Sequence, residues 1–138
     1  MRKTIAATLG AAAVMAAGLM PISATTAAAA DYPVTEFRVP YGASVITGSV
    51  TWHNRDVVIT GELRARSSTK QARFRGLAEH CDTGIDTRTA QAGENRPFRV
   101  PFDCNYPGGF TYVVVALWDG ADHRGTAVCT RQGCTNEN

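Results

Sequence analysis

The chain has 138 residues, with 14 Lys+Arg against 12 Asp+Glu and four cysteines, a size that predicts one folded domain. Arg2 and Lys3 fall in an N-terminal segment that contains no acid, so the remainder carries 12 basic and 12 acidic side chains. That balance argues against a globally basic nucleic-acid binder.

Residues 1–30 read MRKTIAATLGAAAVMAAGLMPISATTAAAA. A short positive end, an alanine-dominated apolar run and a small-residue Ala28-Ala29-Ala30 site are the three parts of a secretory signal peptide. The run is interrupted by Gly10 and Gly18 and is too weakly apolar for a spanning helix, which needs roughly 20 strongly apolar residues. Cleavage after Ala30 leaves residues 31–138, 108 in all, expected to be secreted, extracellular and free of the membrane. Eleven of the twelve remaining basic residues are arginine, a composition that fits the coding habit of a GC-rich bacterium.

Beyond Asp31 apolar residues alternate, and turn formers punctuate them about every 8–12 positions. Strands are predicted over 34–39, 45–52, 57–66, 71–80, 97–104, 110–118 and 123–130, with a weaker one over 85–90. In SVTWHNRDVVITGEL a turn at His53–Asp56 sets Trp52 against Val57, Val50 against Ile59, Gly48 against Gly61 and Ile46 against Leu63. Every apolar residue on one face then meets an apolar partner. The facing glycines leave a notch, for which Trp118 is the expected filler. A second hairpin, turning at Ser67–Lys70, is expected to pair Leu63 with Phe74 and Ala65 with Ala72. A third, turning at Asp119–Asp122, pairs Trp118 with His123 and Val114 with Ala127. Val113-Val114-Val115 suggests a strand covered on both faces. Pro101 marks strand 97–104 as an edge or a bulge, and Asn105-Tyr106-Pro107-Gly108-Gly109 is a turn.

About seven antiparallel strands predict an all-β fold, a two-sheet antiparallel sandwich of immunoglobulin-like type with two disulfides. A small closed barrel is the alternative. Outside the cytosol Cys81, Cys104, Cys129 and Cys134 read as disulfides rather than metal ligands, because neither a zinc knuckle pair nor C-x-x-C is present. Cys129 and Cys134 neighbour each other across a loop, and Cys81 and Cys104 both end strands, so the pairs Cys81–Cys104 and Cys129–Cys134 are expected. No cofactor or metal is expected.

Arg64, Arg66, Arg73 and Arg75 share outward parity on the second hairpin, with Lys70 at its tip. They form a candidate anion-binding stripe whose other reading is a set of solvated strand guards. His53, His80 and His123 sit at turns and strand ends, and Asp82, Asp86 and Glu94 share the polar segment 82–96. Neither set matches a catalytic or calcium-binding spacing. Tyr106, beside Cys104 in CNYPGGF, is a candidate binding tip. Trp52 and Trp118 fall on inward positions by alternation.

A small secreted two-disulfide sandwich closed by a Cys129-x₄-Cys134 clip is similar in plan to the apoproteins of the enediyne chromoproteins. The wide Cys81/Cys104 pair departs from that pattern, so neither ligand nor function is carried over. The functional expectation is a non-catalytic binding or structural module whose partner is an extracellular protein, a glycan or an acidic polymer. The alternatives are an inhibitor of an extracellular hydrolase, inserting loop 104–109, and a small-ligand carrier.

Overall fold

The computed structural model describes residues 32–137, and the signal-peptide reading of residues 1–30 lies outside them. Ten strands form: β1 (Val34–Tyr41), β2 (Ser44–Trp52), β3 (Asp56–Arg64), β4 (Lys70–Ala78), β5 (Cys81–Asp82), β6 (Asp86–Ala90), β7 (Asn95–Asp103), β8 (Tyr112–Asp119), β9 (Asp122–Thr130) and β10 (Gly133–Glu137). They make two antiparallel sheets. One has the order β1-β2-β3-β7, the other β10-β9-β8-β4-β5, with β6 also on β4. The fold is a sandwich and not the closed barrel, since each strand pairs within its own sheet. The alternation of the sequence produces this. Inward side chains from both sheets, among them Val39, Ile46, Val50, Trp52, Ile59, Phe74, Val100, Val115 and Leu117, are almost fully excluded from water.

The β2–β3 hairpin has the expected register, with Trp52 opposite Val57, Val50 opposite Ile59, Gly48 opposite Gly61 and Ile46 opposite Leu63. Its neighbours complete one inward row, Phe37–Gly48–Gly61–Phe98. The notch between the glycines is closed by Phe37, not by Trp118. A Cβ on Gly48 would stand 2.8 Å from Phe37 Cζ, and one on Gly61 would stand 2.0 Å from the Thr47 carbonyl oxygen. The clash on Gly61 is with backbone, which cannot swing aside. Gly61→Ala is therefore expected to cost about 1–3 kcal/mol or more by overpacking, read from urea unfolding; a neutral result would show that the two strands separate freely here.

The second hairpin is not formed. β3 pairs with β7 and β4 pairs with β8 and β6, so the chain crosses from one sheet to the other at residues 65–69. The inward alternation of both segments holds, with Leu63, Ala65, Ala72 and Phe74 all fully buried. Two inward faces can meet side by side in one sheet or face to face across a sandwich, and pairing by pattern cannot separate these. Lys70, expected at a solvated tip, is 2% exposed. Its Nζ donates to the carbonyl oxygens of Arg66 and Ser68 and to Ser68 Oγ, at 3.0, 3.1 and 2.7 Å. The third hairpin turns where expected and pairs Trp118 with His123, but a bulge follows. Leu117 then meets Gly125 and Val115 meets Ala127, one residue away from the expected Val114–Ala127 pair.

Pro101 lies on β7, the edge strand of its sheet, as a residue lacking an amide donor requires. The weak element near 85–90 is β6. The two disulfides join Cys81 to Cys104 and Cys129 to Cys134, which is compatible with an oxidising environment.

Candidate functional site

β8 buries Val113, Val115 and Leu117, so Val114, Ala116 and Trp118 project from the opposite, outer face of the six-stranded sheet. This reverses the expected inward placement of Trp118. In a continuous apolar run the alternation has no phase, and a one-residue slip exchanges the faces. On β4 the outer positions are Gln71, Arg73 and Arg75, opposite Trp118, Ala116 and Val114 respectively. Ile85, before β6, is 62% exposed. These side chains line a groove of about 430 Å³ that His123 also borders. An outward sheet face is ordinarily polar, and this groove departs from that with walls of valine, alanine, isoleucine and tryptophan. The expected cover of Val113-Val114-Val115 on both faces holds only on the inner side, where Val113 and Val115 are fully buried, while Val114 on the outer side is only partly buried.

Two arginines frame the groove differently. Arg75 Nε donates to Asp82 Oδ1 at 2.9 Å and its Nη2 donates to Asp82 Oδ2. This bidentate pair, helped by the Gly84 amide, holds the Asp82 carboxyl down to about 2 and raises the Arg75 guanidinium. A carboxylate with a lowered pKa adds stability above its unfolded value of 3.8 and loses it as pH falls toward about 2. Asp82→Asn is accordingly expected to lower the melting temperature slightly at neutral pH, with the difference closing in strong acid; a difference that widens in acid would contradict the pairing. Among the described residues no carboxylate forms an ion pair with Arg73. Its Nε and Nη2 both donate to Gln71 Oε1, at 3.2 and 2.8 Å, and its guanidinium lies 4.1 Å from the centre of the Trp118 ring.

The expected four-arginine stripe is therefore divided. Arg73 and Arg75 stand on the groove face of the six-stranded sheet. Arg64 ends β3 in the other sheet, opposite Val45 and Asn95. Arg66 lies in the crossing segment, where it donates to the Ala65 carbonyl oxygen and to Asn95 Oδ1. The shared parity was real, but the chain changes sheets between the two pairs.

Tyr106 is 48% exposed and stacks on His80 with ring centres 5.1 Å apart. Its loop is closed by the Gly109 amide donating to the Tyr106 carbonyl oxygen at 3.0 Å and is tied down at Cys104. Tyr106→Ala is expected to cost less than about 1 kcal/mol, measured by thermal unfolding; a larger loss would make the ring a packing element of its own loop.

The histidines at turns and the acids of segment 82–96 have local partners. His53 faces Asp56 at 2.9 Å, and His123 bonds the Thr126 hydroxyl and lies 5.3 Å from Trp118. Asp86 takes Arg88, and Glu94 accepts from the Gln91 amide. Among the described residues no three His, Cys, Asp or Glu side chains converge as a metal site. No family model, curated protein or solved structure matches this chain.

Proposed function

We propose that this chain is a secreted, non-catalytic binding module of immunoglobulin-like type that engages its partner through the outer face of the six-stranded sheet. The observation that carries the reading is the apolar groove floor of Val114, Ala116 and Trp118, partly open to solvent at Val114 and Trp118, with Arg73 lying over the Trp118 ring. A rigid sheet presenting a partly exposed tryptophan and an arginine offers the side chains that anchor interfaces at little entropic cost. The immunoglobulin-like assignment draws on the pairing of β2, β3 and β7 in one sheet and of β9, β8, β4 and β6 in the other. Secretion draws on the leader of residues 1–30 and on the two disulfides.

Biolayer interferometry against fractionated culture supernatant tests the reading. Fractions that bind the native protein should lose it with Ala116→Arg, which fills the groove, and keep it with Arg64→Glu on the other sheet. Equal binding by Ala116→Arg and the native protein would contradict it. Inhibition of an extracellular hydrolase by loop 104–109 is the second reading, favoured by the half-exposed, disulfide-tethered Tyr106. A protease panel with Tyr106→Ala as the control tests that one.

A further inference from the structure

We infer that the groove on the six-stranded sheet takes a small organic monoanion, its apolar body against Val114, Ala116, Trp118 and Ile85 and its carboxylate on Arg73. The inference deepens the binding reading above and rests on it. At about 430 Å³ the groove lies within the range of roughly 300–1,000 Å³ occupied by small-molecule sites.

The head group follows from how Arg73 is bonded. A guanidinium has five N–H donors arranged in two forks, one along the Nε edge and one across the two terminal nitrogens. Gln71 Oε1 receives both Nε and Nη2 of Arg73, which uses the first fork. The second fork is the geometry that grips a carboxylate with two parallel bonds. Stacking on Trp118 at 4.1 Å holds the group in place, so little freedom is lost when an anion arrives. Charge then sets the valence. Arg75 is matched by Asp82, Arg88 by Asp86, and Lys70 lies 3.8 Å from Asp119. Among the described residues that line the groove, Arg73 is the arginine without an acid, so the complement carries one negative charge.

The test titrates naphthoate and decanoate, each beside its neutral alcohol, into the full mature chain and follows heat and tryptophan fluorescence. Both anions should bind, and each alcohol should bind about tenfold or more weaker, the weight of a charge-assisted hydrogen bond. Arg73→Gln should reduce the acids to the level of the alcohols, Ala116→Met should weaken acid and alcohol together, and Arg64→Gln should change neither. Circular dichroism melting verifies that each variant is folded. A preference for naphthoate or for decanoate distinguishes an aryl from an alkyl ligand, and either supports the inference. Acid and alcohol binding alike, with Arg73→Gln silent, would overturn the anion class while leaving the groove as a binding face. Equal weakening by Arg64→Gln and Arg73→Gln would overturn the site in favour of unspecific charge attraction. No binding of either acid at millimolar concentration would overturn the small-anion inference, and the supernatant experiment would still decide the binding face by itself.

Discussion

Trp52→Ala is expected to lower the unfolding free energy by about 3–5 kcal/mol, the range for truncating a large buried aromatic. The ring is fully buried at the end of β2 opposite Val57. Its Nε1 donates to Thr35 Oγ1 at 2.9 Å, and its backbone amide donates to the Pro33 carbonyl oxygen at 2.9 Å. Removing the indole leaves a cavity between the sheets and also leaves the buried Thr35 hydroxyl without its partner, which adds a desolvation penalty of about 1–3 kcal/mol to the cavity term. Trp52→Phe separates the two contributions, because it keeps most of the ring volume and loses the bond. Guanidinium unfolding reads both. A loss below about 1 kcal/mol for Trp52→Ala would mean that the indole is not a central element of the core.

The second large effect is expected from the paired substitution Cys81→Ser with Cys104→Ser. The bond joins β5, in the six-stranded sheet, to the segment just after β7, in the four-stranded sheet, over a sequence separation of 23. Chain entropy alone gives roughly 3.5 kcal/mol for a loop of that length. Cys129–Cys134 spans a separation of 5 and links residues already opposite each other on β9 and β10, so its removal should cost less, roughly 2 kcal/mol. Unfolding of the two double variants ranks the bonds. A larger cost for the short clip would contradict the account, and it would mean that β10 depends on the clip more than the sandwich depends on its cross-link between sheets.

How far these features were legible in the sequence depends on the kind of information each needed. Local pairing was legible. The β2–β3 register follows from four matched apolar pairs, and the disulfides follow from cysteines that end adjacent segments. Phase and layer were not. The run Val113–Trp118 is apolar at both parities, so alternation could not tell whether Trp118 or Leu117 faced the core. Likewise Leu63 and Phe74 do face a common core, but from opposite sheets. Nothing local in Ser67-Ser68-Thr69 distinguishes a hairpin turn from a crossing. Lys70 has inward parity with Ala72 and Phe74, and its burial becomes intelligible only when carbonyl oxygens from the crossing segment gather around its ammonium. β10 was missed because Thr135-Asn136-Glu137 carries no apolar signal; it forms by pairing with β9 beside the cysteine clip and by Asn136 donating to the Arg38 carbonyl oxygen at 2.7 Å. For the site, Arg73 and Arg75 were found from sequence as charges, while the apolar wall that gives them a purpose depended on the phase of β8.

Hydroxyl-radical footprinting of the native protein, with and without the supernatant fractions it binds, shows whether the outer face of the six-stranded sheet is the binding face. Oxidation of Trp118 and Ile85 is expected to slow in the bound state while Tyr106 and Tyr41 react as in the free protein. Unchanged oxidation of Trp118 together with protection of Tyr106 would contradict it and place the binding face at loop 104–109.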